Sequence, residues 1–458
     1  MAVIMLKSVN PATGRIVQTY EIHSEKGVEK IINATNKSWQ QWRTTSFTQK
    51  SALMQNISTI LRSRKEELAR LMAYEMGKVL KEGIAEIEKC AWVCEYYAQN
   101  AESFLENEFI ETEAFRSFVT YQPLGTILAV MPWNFPFWQV FRFLAPTLMA
   151  GNTTVLKHAS NVPGCAMAIE ELFREAGFPE NVFRTLLIGS KQVENVIRHP
   201  AIKAVSLTGS TTAGKSIATI AGSELKKCVL ELGGSDPYII LKDAELVKAA
   251  KICATSRLLN AGQSCIAAKR FIVVDEVYSE FLEYFSHEMN QAVFGDPCDA
   301  ETTMGPLARK DLRNELHQQV VNSVKMGAEI VLGGEIPNRK GAFYPPTILE
   351  NVKPGMPAYD EELFGPVASV IRVKDEAEAI KTANDTEFGL GAAVFTSDLK
   401  KGEHIAEKLL DAGCCFVNDF VKSDPRLPFG GIKTSGYGRE LSTHGIKEFM
   451  NVKTVVVK

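Results

Sequence analysis

The residue best suited to do chemistry in this chain is Cys265, in the string LLNAGQSCIAAKR at residues 258–270. Thirty-four residues upstream, Glu231 is a lone acid inside the apolar run CVLELGG. A cysteine is a strong nucleophile once it becomes a thiolate, and a carboxylate in apolar surroundings acquires a raised pKa that suits a general base. The pair indicates covalent catalysis through a thioester, whereas a cysteine taken alone is more often a small buried hydrophobe.

Two further clusters contain polar side chains in places where a ligand could reach them. Asn134 lies in the string PWNFP, whose rigid neighbours would let its amide donate to a developing oxyanion rather than only to the backbone. Lys157 closes the β-branched run TTVLK. Ligands of open α/β sheets bind at the carboxyl ends of strands, so Lys157 is a candidate for binding a ribose or phosphate, although a lysine there is often only solvated.

The string GSTTAGKS at residues 209–216 suggests a different function. It matches the phosphate-binding loop of nucleoside triphosphatases and follows the strand-like run AVSLTG. However, the next strand ends in CVLELGG and offers no metal-binding aspartate. A strand–glycine–helix junction also binds phosphate through its N–H groups without any lysine. A P-loop nucleotide hydrolase therefore remains an alternative from a different class.

The elements that must position these residues alternate along the chain. Residues 8–20 predict a hairpin, and residues 25–107 have helical periodicity. From residue 118, strand-like and helical runs alternate, and a second alternation begins after Glu231. This pattern predicts an α/β protein with two doubly wound Rossmann-like α/β domains. The β-branched C-terminal end, EFMNVKTVVVK, predicts a strand that needs a partner edge, for which a second subunit is one candidate.

The composition is typical of a globular protein and excludes several classes of function. The chain has 458 residues, 45% of them hydrophobic and 23% charged, and a net charge of −3, which argues against a nucleic-acid-binding surface. Its nine cysteines have neither metal-ligand spacing nor the pattern of a disulfide framework, so we expect reduced thiols, no metal site and a cytoplasmic protein. The N-terminus has no signal-peptide pattern, and prolines and polar residues interrupt the apolar stretch 124–151, so we expect no membrane span.

As an ordered set, the strings PWNFP, VLK, LTGS, ELGG, GQSC, EELFGP and PFGG resemble the aldehyde dehydrogenase superfamily over essentially the whole chain. The resemblance implies that Cys265 attacks an aldehyde and that the Asn134 amide and the Cys265 backbone N–H hold the oxyanion. It also implies that Glu231 activates the water that hydrolyses the resulting thioester. The expected enzyme is thus an NAD(P)-dependent aldehyde dehydrogenase.

The resemblance also implies a dinucleotide site. The residues it places around NAD or NADP are Trp133, Lys157, Ser160, Gly209, Ser210, Glu362 and Phe364. NAD-preferring relatives often have a glutamate three residues after the lysine, where this chain has Ser160. A small neutral side chain leaves room for a 2′-phosphate, so we expect both cofactors to be accepted.

For the substrate, the resemblance implies a carboxylated aldehyde. Arg142 occupies the position where relatives acting on succinate semialdehyde carry an arginine, and Arg426 lies in a loop that lines the substrate tunnel of the family. Strings such as KHASN and AAKRF resemble the bacterial NAD(P)-using succinate-semialdehyde branch. Leu259 departs from some of these relatives, which have an arginine there. A broad-specificity enzyme for aliphatic or aromatic aldehydes is the alternative within the class.

The same resemblance implies a domain division and an assembly. We expect a dinucleotide-binding domain at 1–107 and 124–232, a catalytic domain at 233–433 and an oligomerisation arm at 108–123 and 434–458. The arm implies a homodimer or a homotetramer.

Overall fold

The computed structural model describes residues 5–458, which form two mainly parallel sheets, a three-stranded antiparallel sheet and an N-terminal hairpin. The predicted fold class is confirmed. The hairpin pairs β1 (Met5–Val9) with β2 (Ile16–Glu21), and the Asn10 side chain accepts backbone N–H bonds within the predicted turn. Residues 1–4, part of the segment in which we expect no targeting signal, lie outside the described residues.

Four helices follow the hairpin; the first packs on the first sheet, and the other three pack mainly on one another. They are α1 (Glu25–Trp42), α2 (Phe47–Ser63), α3 (Lys65–Met76) and α4 (Leu80–Phe104). Helix α4 has 25 residues and a buried face that includes Ile87, Cys90 and Val93. This face follows the helical repeat, so α4 crosses the interior as one long, well-packed element.

The first sheet is a doubly wound sheet with a clear switch point. Its strands are β5 (Thr126–Met131), β6 (Thr153–His158), β7 (Phe183–Thr185), β8 (Ile202–Thr208), β9 (Lys227–Glu231) and β17 (Gly436–Tyr437). In space the order is β17-β9-β8-β5-β6-β7, with only β17 antiparallel to its neighbour. The chain winds outward from β5 in one direction and then from β8 in the other. Ligands of such sheets bind at the carboxyl ends of the strands beside the switch.

Helices α5 to α8 connect the strands of this sheet. They are α5 (Trp138–Met149), α6 (Pro163–Glu175), α7 (Val193–Arg198) and α8 (Thr211–Ser223). Helix α5 is buried at every position, and it packs against α4.

The second sheet has seven strands in the order β12-β13-β14-β11-β10-β15-β16, all parallel except β12. The strands are β10 (Pro237–Ile240), β11 (Arg270–Val274), β12 (Glu329–Leu332), β13 (Thr347–Glu350), β14 (Val367–Val373), β15 (Gly391–Phe395) and β16 (Cys414–Val417). The helices around it are α9 (Leu246–Leu258), α10 (Tyr278–Asn290), α11 (Lys310–Lys325), α12 (Pro357–Asp360), α13 (Glu376–Asn384) and α14 (Leu399–His404). The predicted second alternation of strands and helices is thus observed.

A separate antiparallel sheet is formed by β3 (Glu108–Ile110), β4 (Arg116–Pro123) and β18 (Met450–Val457), the last preceded by α15 (Ser442–Lys447). Strand β18 pairs with β4 along its whole length. One part of the segment 434–458, strand β17, joins the first sheet instead. Within residues 5–458, no helix is long and apolar enough to cross a membrane.

Candidate active site

A cavity of about 250 Å³ opens at the switch point, beyond the carboxyl ends of β5 and β8. Residues from both large sheets line it: Pro132, Trp133, Asn134, Thr208, Gly209, Ser210, Leu232, Gly233, Cys265, Leu312, Glu362 and Phe364. The structure therefore brings two of the three predicted catalytic residues together with five of the seven predicted cofactor-binding residues. Lys157, Ser160, Arg142 and Arg426 do not line this cavity.

Cys265 lies in a tightly fixed loop before β11. Three consecutive residues ahead of it, Asn260, Ala261 and Gly262, have φ near +54°, +53° and +73°, a left-handed turn that reverses the chain after α9. Behind the cysteine, the buried Lys269 ammonium donates to the Cys265 carbonyl at 2.7 Å and to the Ser264 carbonyl at 2.9 Å. No role was predicted for Lys269, whose sequence signal is a Lys-Arg pair at the start of an apolar strand.

The Cys265 thiol is held in its protonated form. Burial raises its pKa to about 12, and this effect outweighs the opposing charges of Arg142 and Lys269. The charges of Glu362 and Glu231 raise the pKa further. A base or a change in local solvation is therefore needed before the sulfur can attack.

Asn134 is positioned by the same loop that carries the cysteine. Its Nδ2 donates to the Gln263 backbone carbonyl at 3.1 Å, and the backbone carbonyl of Asn134 accepts from Asn260 Nδ2 at 2.8 Å. An amide nitrogen has two N–H groups, so one remains for a ligand. The residue is buried, where such a hydrogen bond is stronger than in water.

Glu231 ends β9 and is 2% exposed. Neither of its carboxylate oxygens has a hydrogen-bond partner among residues 5–458. Burial raises its pKa well above the ordinary value and Glu440 raises it further, while Arg142 and Arg439 act in the opposite direction. A buried carboxyl of this kind can hold or release a proton near neutral pH.

Gly430, in the string PFGG, lets its loop pass directly beside the Glu231 carboxylate. A Cβ on Gly430 would lie 2.7 Å from Glu231 Oε1. Only the absence of a side chain lets the loop pass so close, and the loop in turn keeps Glu231 enclosed.

Two acids on α4, neither of them singled out from the sequence, fix the loops around the cysteine. Glu86 Oε1 accepts from the backbone N–H groups of Phe137 and Trp138 at 2.9 Å, so it caps the start of α5 just after Asn134. Glu82 accepts from the Asn260 N–H at 3.0 Å. Their spacing of four residues in a helix with a buried face is the signal that would have identified them.

The phosphate-loop-like string forms a strand-to-helix junction. Helix α8 already begins at Thr211, and Ser210 caps it by accepting from the Ala213 N–H at 3.3 Å. Lys215 lies within that helix and is exposed, so the residues of the string do not wrap a phosphate as a P-loop does. What remains is a helix N-terminus that faces the cavity through Gly209 and Ser210, a suitable place for a pyrophosphate.

Glu362 and Phe364 come from the loop before β14. The Trp133 and Phe364 rings meet edge to face, with centroids 5.7 Å apart, and form two walls of the cavity. Glu362 accepts from the Gly234 N–H at 3.1 Å and lies 3.6 Å from Lys269 Nζ. These features together fit a nicotinamide dinucleotide. The aromatic walls suit the ring, the anchored carboxylate suits ribose hydroxyls, and the helix N-terminus suits the phosphates.

The two other predicted cofactor residues lie outside the cavity. Lys157 is half-buried at the carboxyl end of β6, beside β5, and burial lowers its pKa. Ser160 is exposed and lines a different surface cavity. Their roles in adenosine binding remain predictions.

The two predicted substrate arginines are engaged with acids. Arg142 is buried on α5, ion-paired with Glu440, and its guanidinium carbon lies 4.7 Å from the centre of the Phe429 ring. Arg426 is exposed and makes two hydrogen bonds to Asp424, at 2.9 and 2.7 Å. The structure thus places Arg142 close enough to affect the pKa of both Cys265 and Glu231, and leaves Arg426 at the surface.

The described residues contain no cluster of three or more His, Cys, Asp or Glu side chains arranged to hold a metal ion. All nine cysteines are free thiols.

Comparison with known proteins identifies the family. The model of the aldehyde dehydrogenase family matches residues 4–455. A probable NADP-dependent succinate-semialdehyde dehydrogenase of Synechocystis sp. is 48% identical over 98% of this chain and 99% of that protein. The corresponding enzyme of Deinococcus radiodurans is 44% identical over 98% of this chain and 94% of its own.

A solved structure supports the same family assignment. Succinic semialdehyde dehydrogenase from Streptococcus pyogenes, in complex with NADP+, superposes with a TM-score of 0.97 at 39% identity, covering 99% of both chains. The chain belongs to the aldehyde dehydrogenase family. The predicted resemblance is confirmed, and the P-loop hydrolase alternative is wrong.

Proposed function

We propose that this chain oxidises succinate semialdehyde to succinate with NADP or NAD, through a thioester on Cys265. The observation that carries the proposal is the convergence of Cys265 and Asn134 on the switch-point cavity, with Glu231 enclosed beside them. Relatives that match nearly the whole chain at 44–48% identity are NADP-dependent succinate-semialdehyde dehydrogenases.

The residues divide the reaction between them. Once its thiol proton has passed to a base, the Cys265 sulfur attacks the aldehyde carbon. The free N–H of Asn134 and the Cys265 backbone N–H stabilise the oxygen as it gains charge. A bound nicotinamide supplies the hydride acceptor. Glu231 then takes a proton from the water that attacks the thioester, a step for which its raised pKa suits it.

Trp133 and Phe364 would hold the nicotinamide end of the dinucleotide, Glu362 its ribose, and the Gly209–Ser210 helix terminus its pyrophosphate. Ser160 adds no negative charge near Lys157, which supports acceptance of the 2′-phosphate of NADP.

We further propose that the chain acts as a homodimer or homotetramer in the cytoplasm. The antiparallel sheet supports the assembly, because Phe109, Val452 and Val456 on its strands and Phe115 in its β3–β4 connection are all more than half exposed. The free thiols support the location. In this proposal the first large sheet forms the dinucleotide-binding domain and the second the catalytic domain.

The first test is steady-state kinetics with succinate semialdehyde and with butanal, a neutral aldehyde of equal length, each with NADP and NAD. We expect kcat/KM for the carboxylated aldehyde to exceed that for butanal by roughly 10-fold or more. A factor of this size corresponds to the free energy of one charged hydrogen bond. Similar values for the two aldehydes would instead describe a broad-specificity dehydrogenase.

A variant pair checks the chemistry behind those rates. Cys265→Ala should abolish oxidation of both aldehydes while dinucleotide binding, followed by fluorescence, persists. Lys215→Ala is the matched control and should leave both rates unchanged, because Lys215 is exposed on α8.

A further inference from the structure

Lys89 is a partly buried lysine at the junction of three elements. It lies on α4, and its Nζ donates to Ser423 Oγ at 2.9 Å. The same nitrogen lies 4.4 Å from the centre of the Trp138 ring, at the start of α5. Helix α4, helix α5 and the loop after β16 therefore meet around one ammonium group.

This ammonium group has no acidic partner at close range. Among residues 5–458, no carboxylate oxygen lies within the 4.0 Å that defines an ion pair with Lys89. The nearest acid along the loop, Asp424, is bound by two nitrogens of Arg426. Of the three N–H groups of Lys89, one is used by Ser423, and the other two remain available.

The surroundings make this an unfavourable place for an unpaired cation. Burial lowers the pKa of Lys89 to about 8, and the charge of Arg142 lowers it further, while Cys90, Asp424 and Glu86 act weakly in the opposite direction. A desolvated cation without a partner is costly, and an anion that arrives from solvent would relieve the cost.

The location is linked to the cavity through Arg142, whose Nη2 donates at 3.4 Å to Oγ1 of Thr208 in the cavity wall. Trp138, beneath the ammonium group, and Arg142 are four residues apart on α5 and share one face of that helix. Arg142 acts electrostatically on Lys89 and on both Cys265 and Glu231. Arg142 thus connects Lys89 with the catalytic pair, but its own charge is already paired with Glu440.

We propose that Lys89 is a specificity-determining residue that binds the distal carboxylate of the aldehyde substrate, with Ser423 Oγ beside it. Arg142, held by Glu440, supplies a favourable field, whereas Lys89 supplies unoccupied donors. The assignment rests on the proposed function, because it requires a substrate with an aldehyde at one end and a carboxylate at the other. Arg426, committed to Asp424 at the surface, is not needed for it.

The test compares wild type, Lys89→Met and Lys89→Arg, with succinate semialdehyde and butanal at saturating NADP. Methionine keeps the length of the side chain and removes the charge. We expect Lys89→Met to raise KM for succinate semialdehyde roughly 10- to 100-fold, with KM for butanal and both kcat values within about twofold. Lys89→Arg should keep most of the preference for the carboxylated aldehyde.

Lys81→Met is the matched control, since Lys81 is exposed on the same helix. It should leave both KM values and the melting temperature unchanged. Equal losses with both aldehydes in Lys89→Met would show a structural role and overturn the assignment, as would no change with either. A wild-type enzyme that does not prefer succinate semialdehyde would overturn the proposed substrate itself. A preference that survives in Lys89→Met would overturn only the role of Lys89.

Discussion

At the scale of single residues, the protonation of Cys265 leads to a measurable pH dependence. Burial places its pKa at about 12, so in the absence of ligands the thiolate fraction is small at neutral pH and grows as pH rises. We expect inactivation by iodoacetamide, without dinucleotide or aldehyde, to accelerate about tenfold per pH unit between pH 7 and 10, because only the thiolate reacts. The second-order rate constant at each pH is the measurement.

The control is the same titration followed by mass spectrometry in Cys265→Ala, which separates the active-site thiol from the other eight cysteines. Five of those eight are buried. A plateau in the inactivation rate near pH 8 would contradict the expectation and would show that a neighbouring group ionises the thiol in the free enzyme.

The sequence was sufficient to select the candidate residues whose neighbours in the chain are unusual. Cys265, Asn134 and Glu231 are each a polar residue in an apolar or proline-rich string, and the structure places them close to one another. Lys269 and Lys89 were missed for a physical reason: their partners are carbonyls and hydroxyls of a folded loop or of distant elements. No local pattern indicates such contacts.

At the scale of elements, the left-handed turn before Cys265 is the most constrained. Gly262 has φ +73°, and a Cβ there would lie 2.3 Å from the Gly365 carbonyl carbon, next to Phe364. We expect Gly262→Ala to lower the free energy of unfolding by roughly 1–3 kcal/mol from backbone strain alone and to lower kcat by displacing Cys265 and Phe364. Measuring the thermal unfolding and the kcat of the same variant tests both expectations.

Gly222→Ala is the matched substitution in a helix. Gly222 is exposed in α8 with open space around its Cα, so alanine should stabilise by about 0.5–1 kcal/mol and leave kcat unchanged. If both variants unfolded at the wild-type temperature, the turn would be less constrained than its geometry indicates.

Elements of strong periodicity were predicted well, and junctions were not. The alternation predicted after Glu231 is observed, with its first two helices at Leu246–Leu258 and Tyr278–Asn290. The string at 209–216 matched a phosphate loop, yet Ser210 caps a helix that starts one residue later. The difference between a loop and a capped helix depends on where the backbone N–H groups find acceptors, which a short motif does not specify.

At the scale of the whole molecule, the active site depends on how two sheets face each other. Glu231 ends a strand of the first sheet, whereas Cys265 and Glu362 precede strands β11 and β14 of the second. The carboxyl edge of one sheet therefore meets the amino edge of the other across the cavity. The alternating pattern predicted both sheets, but their mutual orientation comes from side-chain packing that no periodicity encodes.

The exposed face of the antiparallel sheet yields the last prediction. Val452 and Val456 lie on the same side of β18 and are 61% and 53% exposed, on a strand whose other edge is unpaired within residues 5–458. Because an apolar face on an open edge is stabilised by a partner, the double variant Val452→Asp, Val456→Asp should shift the enzyme to a smaller species in light scattering after size-exclusion chromatography. The control Leu225→Asp, Leu399→Asp places two acids on apolar positions elsewhere that are even more exposed, and it should leave the mass unchanged. A wild-type enzyme already monomeric at micromolar concentration would refute the proposed assembly, whereas an unchanged mass in the arm variant would move the interface to another surface of the chain.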